Sequence, residues 1–295
     1  MVGGKIRWGT SSWSEKSWAG SFYPEGTPAG EFLSLYSRRF DTVEADVTYY
    51  RIPSTTMVQG WRRKTPEGFR LSAKFPRSIV HAGKGPHPDG EKILAREYVA
   101  GDTELFLERM STLGDRCGPL VLQFPYFNRT AFPSVGPFLE RLAAYLEALP
   151  KGFRYGVEVR NKAWIDKPLL DLLRAHNVAL VLVDLLYMPH PAELHRPEAG
   201  EHDLLTADFS YARLIGDRKR VEEAGQGKFD RIVIDQGQRL ADWAELLVNV
   251  RKSVPETYVY GNNHYAGHGP DTIRDLAQRC GDTVGGPIPG DGLFD

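Results

Sequence analysis

The sequence predicts a TIM-type (β/α)8 barrel with parallel strands. Three observations carry the prediction. A short strand-like stretch followed by a helical one recurs eight times, with no break in composition between units. Several strands are apolar on one parity and charged on the other: in Asp41–Pro53, Val43, Ala45 and Val47 alternate with Glu44, Asp46 and Thr48. Helices outside and a polar interior would satisfy both faces of such strands, and a closed barrel supplies both. Finally, 295 residues fit a barrel of about 250 residues with insertions. A doubly wound open sheet is the alternative.

The units follow in order. Strand 1 is Lys5–Thr10, running into the aromatic loop SSWSEKSWAGSFYP. A helix from about Pro28 to Arg39 presents Phe32, Leu35, Tyr36 and Phe40. The alternating stretch is strand 2, and Pro53-Ser54-Thr55 opens a helix with Met57, Val58 and Trp61 inward. Strand 3 is Phe69–Phe75, closed by Pro76. The Gly- and Pro-rich stretch near 77–98 reads as a long loop before a helix carrying Leu105, Phe106, Met110 and Leu113.

Strand 4 is Pro119–Phe124, and Phe138, Leu142, Tyr145, Leu146 and Leu149 mark the next helix. Strand 5 is Phe153–Val159, with a helix opening at Lys167-Pro168. Strand 6, Val178–Val183, is apolar throughout, as a parallel strand buried on both faces should be. A second long loop runs near 185–205 and holds His190, His195 and His202, read as solvated. Strand 7 is Tyr211–Ile215. The charged segment GDRKRVEEAGQGKFDR precedes a helix with Leu240, Trp243, Leu246, Leu247 and Val250. Strand 8 is Thr257–Tyr260, followed by NNHYAGHGP, a helix with Ile273, Leu276, Ala277 and Cys280, and an irregular tail, GGPIPGDGLFD. One domain over 1–295 is expected.

Bulk properties narrow the setting. Composition is that of a soluble globular protein, with 41% hydrophobic and 25% charged residues. A net charge of -1 gives no global pull towards nucleic acid or an anionic membrane. The two cysteines, Cys117 and Cys280, placed near helix ends, read as reduced thiols. The N-terminus MVGGKIRWGTSSW has no apolar core of a signal peptide, and no run is long enough to span a bilayer, so a cytoplasmic location is expected.

Parity sorts the strand residues. Glu44, Asp46 and Thr48 point into the barrel from strand 2, Ser72 and Lys74 from strand 3, Val121 and Gln123 from strand 4. Gly156, Glu158 and Arg160 do so from strand 5, and Arg213 from strand 7. Strand 6 ends in Asp184, and strand 8 delivers Asn262, Asn263 and His264 at its end. These groups gather at the C-terminal ends of the strands, where β/α barrels carry their active sites. Four acids (Glu44, Asp46, Glu158, Asp184) then meet three cations (Lys74, Arg160, Arg213), and buried charges of that kind must pair with one another or with a ligand.

In order along the chain, the segments WGTSSWSEKSWAGSFYP, TVEADVTYYRIPS, TPEGFRLSAKFPRSIVH, LVLQFP, VEVRNKAW, TADFSYARLIGDR and NNHYAGHGPDTIRDL resemble the domain-of-unknown-function 72 family. The resemblance covers most of the chain and implies a single TIM-barrel-like domain. It implies no activity. Three positions depart from the commoner pattern: Asp46 stands where Asn is frequent, Asn161 where His is frequent, and Ile215 where His is frequent.

The residues themselves point to an enzyme or binder acting on a small polar ligand, phosphorylated or sugar-like, at the barrel mouth. Glu44 and Glu158 are the expected acid/base pair, with Lys74 as the third catalytic group. An acid/base isomerase, lyase or hydrolase would use such a set. Arg160 and Arg213 would hold an anionic group beside Lys74. Gln123, Asn262 and Asn263 would bind hydroxyls, and Asp46, Asp184 and His264 complete the polar lining. Trp13, Trp18 and Tyr50 could stack on a sugar face. A Schiff-base role for Lys74 needs an apolar pocket, which four acids oppose. No cofactor is expected. One alternative is a metal-dependent phosphodiester hydrolase, acting even on nucleic acid, with a divalent metal on Glu44, Asp46, Glu158, Asp184 and His264. Another is a non-catalytic binding protein using the same mouth. A nucleic-acid or membrane partner is not expected.

Overall fold

A computed structural model describes residues 3–83, 85–195 and 203–286. Its eight strands are β1 (Lys5–Thr10), β2 (Thr42–Ala45), β3 (Arg70–Lys74), β4 (Cys117–Gln123), β5 (Tyr155–Glu158), β6 (Ala179–Leu185), β7 (Phe209–Gly216) and β8 (Glu256–Gly261). All ladders are parallel, in the order β1-β8-β7-β6-β5-β4-β3-β2. With helices between them the strands form a nearly closed TIM-type (β/α)8 barrel.

The helices are α1 (Phe32–Tyr36), α2 (Val47–Tyr50), α3 (Thr55–Lys64), α4 (Arg77–Val80), α5 (Arg96–Ser111), α6 (Val135–Ala148), α7 (Lys167–Ala175), α8 (Pro191–Leu194), α9 (Arg218–Ala224), α10 (Gly237–Ser253), α11 (Asn263–Ala266) and α12 (Gly269–Arg279). The longer ones wrap the barrel. In α7, Asp166 caps the first turn by accepting from Lys167 N, Pro168 sits where its missing N–H costs nothing, and Leu169, Leu170 and Leu173 bury against the sheet. The short helices α2, α4, α8, α9 and α11 each follow a strand and so stand on the C-terminal rim.

The joint between β1 and β2 is built differently from the other seven. Among the described residues no backbone ladder joins them. Side chains take its place. Thr10 N donates to Tyr36 Oη (2.7 Å), which donates in turn to Thr42 O (3.0 Å), and Trp8 N donates to Asp41 Oδ1 (3.1 Å). Gly9 allows the close approach, since a Cβ there would lie 2.2 Å from Thr42 O.

The lumen is filled, not open. Val121, Ala179, Val181, Phe209, Tyr211, Tyr258 and Tyr260 pack across it. Its phenols are satisfied locally: Tyr260 Oη bonds Thr42 Oγ1 (2.6 Å) and Ser72 Oγ (2.8 Å), and Tyr211 donates to Glu44 Oε2 (2.6 Å). At the N-terminal end Arg7 and Arg154 both bond the Glu256 carboxylate.

Several expectations are corrected. Strand 2 ends at Ala45, and the alternation that continues through Thr48 lies on the helical turn α2. Both cysteines do stand at helix ends, Cys117 capping a 3-10 turn (Gly114–Arg116) as it opens β4 and Cys280 capping α12; both thiols are free, and burial pushes Cys117 up to about 12 and Cys280 to about 11. The 77–98 stretch holds α4 and the start of α5, and the charged segment after strand 7 holds α9. The 185–205 stretch holds α8, with His190 buried; His202 lies outside the described residues, as does the tail from residue 287. Among the described residues no helix is long and apolar enough to cross a membrane.

Candidate active site at the C-terminal mouth

Arg213 is the centre of the site. It is fully buried, projecting inward from β7, and its guanidinium divides between two glutamates. Nε (3.1 Å) and Nη2 (2.8 Å) donate to Glu44 Oε1 on β2. Nη1 donates to Glu158 Oε2 on β5 (2.5 Å) and to Gln123 Oε1 on β4 (2.8 Å). Arg160 Nε donates to the other Glu158 oxygen (3.0 Å), and Lys74 Nζ on β3 lies 3.6 Å from Glu44 Oε1. Five of the eight strand units therefore deliver charge or an amide to one point, as parity required.

The electrostatics sort the carboxylates. Burial pushes Glu44 up, but Arg213, Lys74 and the Tyr211 hydroxyl outweigh it and hold the group at about 2. Burial also opposes Glu158, and Arg213, Arg160 and Lys74 again outweigh it, leaving it below the usual range. Both glutamates lie beneath the cleft, and neither lines it.

Asp46 behaves differently. It opens α2, above Glu44, and it does line the cleft. Its Oδ1 is covered and lies 2.5 Å from Lys74 Nζ, an ion pair without good hydrogen-bond alignment; the side chain as a whole is 32% exposed. Burial raises its pKa, Lys74 opposes the rise and Glu44 adds to it, so the carboxyl is pushed up to about 6. Thr48 sets this geometry. Its hydroxyl is within 2.9 Å of Ala45 O, 2.8 Å of Lys74 O and 2.9 Å of Lys74 N, fastening the α2 turn to β3.

Above these groups is a cleft of about 590 Å³. Its hydrogen-bonding capacity is lopsided. Gln123 has spent its carbonyl oxygen on Arg213. Asn262 has spent its own on His264, accepting from the backbone N (2.9 Å) with the ring Nδ1 at 2.8 Å. What each amide leaves for the cleft is its nitrogen, which has no partner among the described residues. Lys74 and Arg160 are donors only. His264 Nε2 faces Glu222 Oε1 on α9 (3.2 Å); burial lowers its pKa, against the pull of Glu222.

Three expected site residues sit elsewhere. Asp184 is buried on the outer face of β6, bonded to Arg239, to Trp243 Nε1 (3.0 Å) and to Tyr265 Oη (2.9 Å), so it clasps helices and does not meet the ligand cleft. Asn263 Oδ1 accepts from Trp18 Nε1 (3.2 Å) and Gly269 N (2.9 Å), a structural role behind the rim. Trp13 packs edge-on against Trp61, its carbonyl accepting from Tyr23 Oη. Tyr50, by contrast, lines the cleft. Of the unusual positions, Asn161 clasps the Phe127 backbone through both its amide atoms (2.8 Å each), and Ile215 lines the cleft. Sequence reasoning missed Tyr211, whose signal was available: it shares parity with Arg213 two residues on.

Residues 7–291 match the family described as "Protein of unknown function DUF72". The chain belongs to the DUF72 family. UPF0759 protein YecE of Escherichia coli is 33% identical to this DUF72 chain over 199 residues; the match covers 62% of the chain and 66% of that relative's length. UPF0759 protein YunF of Bacillus subtilis is 21% identical over 289 residues, covering 92% and 93%. Among solved structures, a DUF72 family protein of Thermotoga maritima superposes with a TM-score of 0.69 at 27% identity, covering 94% of this chain and 99% of that one. A DUF72 family protein of Enterococcus faecalis gives 0.68 at 19% identity, covering 95% and 97%, a likeness of fold. The family is uncharacterised, so membership assigns no reaction.

Proposed function

We propose that the mouth is an active site for a small anionic, polyhydroxylated substrate, with Asp46 as the proton-exchanging group. The observation that carries this reading is the gathering of N–H donors (Lys74, Arg160 and the Gln123 and Asn262 amides) around one cleft carboxyl pushed up to about 6. A general base works best with a pKa near the working pH. Asp46, mostly ionised at neutral pH, would take a proton from a substrate C–H or O–H. The electron pair left behind would settle on a substrate oxygen held by Lys74, Arg160 and the amides of Gln123 and Asn262. Isomerase, lyase and hydrolase chemistry all fit this transfer.

Glu44 and Glu158 take a different part from the acid/base pair expected of them. Held ionised beneath Arg213, they fix its guanidinium and set the field felt by Asp46. The metal-dependent alternative is less favoured, because Lys74, Arg160 and Arg213 interleave the acids and Asp184 faces away; among the described residues no three His, Cys, Asp or Glu side chains group to hold an ion. The acid/base reading applies to this chain and not to relatives with Asn at this position.

A thermal-shift screen of sugar phosphates and sugar acids tests it. A ligand at a hundred times its Kd stabilises the fold by about 2.7 kcal/mol. Asp46→Asn should retain that binding while any turnover found with the wild type is lost. Failure of every anion to bind, or turnover that survives Asp46→Asn with its pH profile intact, would refute the reading.

A further inference from the structure

Large apolar side chains stand exposed on opposite sides of the mouth, with no cover from the described residues. Tyr50, at the end of α2, is 79% exposed although Tyr49 braces its ring edge-on at 5.3 Å. Across the mouth, the chain leaving β6 makes a tight turn, Met188 N donating to Leu185 O (2.8 Å). The turn's ends, Leu185 and Met188, are buried with Val183. That anchoring drives the two central residues outward, Leu186 at 70% exposure and Tyr187 at 53%. In the cylinder β2 and β6 are four strands apart in either direction, so these two pieces face each other over the cleft. All three side chains line it, as do Lys74 and Arg160 below.

Held aromatic and aliphatic surface at a concave mouth marks a binding site more than a folding need. Its chemistry is not that of the floor, where Lys74, Arg160 and the two amides present N–H donors beside the Asp46 carboxylate. Nor does a bare oxyanion need it: inorganic phosphate or a three-carbon acid fills only a small part of about 590 Å³ and has no ring face to set against the rim. A ligand that satisfies both layers carries an anionic group at one end and a ring with a flat C–H face at the other.

We infer that the mouth takes a cyclic sugar bearing a phosphate or carboxylate, the anion on Lys74, Arg160 and the two amides, the ring lying against Tyr50 and the Leu186–Tyr187 turn. The inference rests on the anionic reading of the site given above and adds the ring.

The test compares ring and open-chain anions by calorimetry on the wild-type chain, on Tyr50→Ala, on Tyr187→Ala and on the double variant, each checked for fold by circular dichroism. Glucose 6-phosphate and glucuronate are the ring probes, glycerol 3-phosphate and glycerate their open-chain counterparts, and inorganic phosphate the control. The ring of one pair should bind about tenfold tighter than its open-chain counterpart, the scale of one to two aromatic contacts; which pair does so separates phosphate from carboxylate. The double variant should erase that gap and leave inorganic phosphate unchanged. Equal affinity for ring and open chain, or a double variant that weakens every anion alike, would overturn the ring while leaving the anionic site standing. No binding by any of the five would overturn both.

Discussion

Replacing Asp46 by Asn should stabilise the protein at neutral pH. The folded pKa of about 6 stands above the ordinary 3.8. Between those values the folded chain holds a proton that the unfolded chain has released, so stability falls as pH rises from about 4 to 6 and stays low above. A rise of that size corresponds to about 3 kcal/mol at 1.36 kcal/mol per unit. The side chain is 32% exposed, and screening cuts the figure to roughly half. Loss of the ion pair to Lys74 offsets little, because Lys74 keeps Glu44 at 3.6 Å. Urea unfolding of wild type and Asp46→Asn at pH 7.5 should therefore differ by about 1.5 kcal/mol in favour of the variant, near 3 °C in Tm. At pH 4 the difference should vanish. A variant less stable than wild type at pH 7.5, or a gain equal at both pH values, would refute the reasoning and leave Asp46 an ordinary surface carboxylate.

The other expectations concern what surrounds it. Arg213→Met leaves Glu44 and Glu158 buried without their main partner and should cost about 3–5 kcal/mol at pH 7.5 by urea titration, less at pH 4.5 as the carboxylates protonate. Adding Glu44→Gln and Glu158→Gln should recover part of the loss. Thr48→Val removes the hydroxyl that fastens α2 to β3, costing about 1–2 kcal/mol, and should let the Asp46 titration, followed by carbon NMR, drop towards the ordinary carboxylate value; Thr48→Ser should preserve it.

The sequence made the barrel legible because strand parity is a local signal. Strand 1 falls at Lys5–Thr10 as expected, and Glu44, Lys74, Gln123, Glu158 and Arg213 converge as alternation required. The roles within that cluster were less legible, since they depend on which oxygen each donor reaches. Arg213 lies 169 residues from Glu44, the β2 partner it shares with Tyr211, which is itself 167 residues from it, and no local pattern encodes that division. Asp184 escaped for another reason. Strand 6 is apolar on both faces, so parity had nothing to count, although the smaller residues Ala179, Val181 and Val183 mark the lumen side. At Asp46 the alternation itself misled, because its period continued past the point where Thr48 turns the backbone into a helix.

The side-chain joint beside β1 bears on how the molecule is made. Among the described residues the first strand's backbone ladder is with β8, which ends at Gly261. On the ribosome, then, Lys5–Thr10 has no ladder to join until residues up to Gly261 have emerged. The contacts open to it sooner are with Tyr36 and Asp41, which it meets through Thr10 N and Trp8 N. The cylinder is finished from its back end, by the last strand capturing the first.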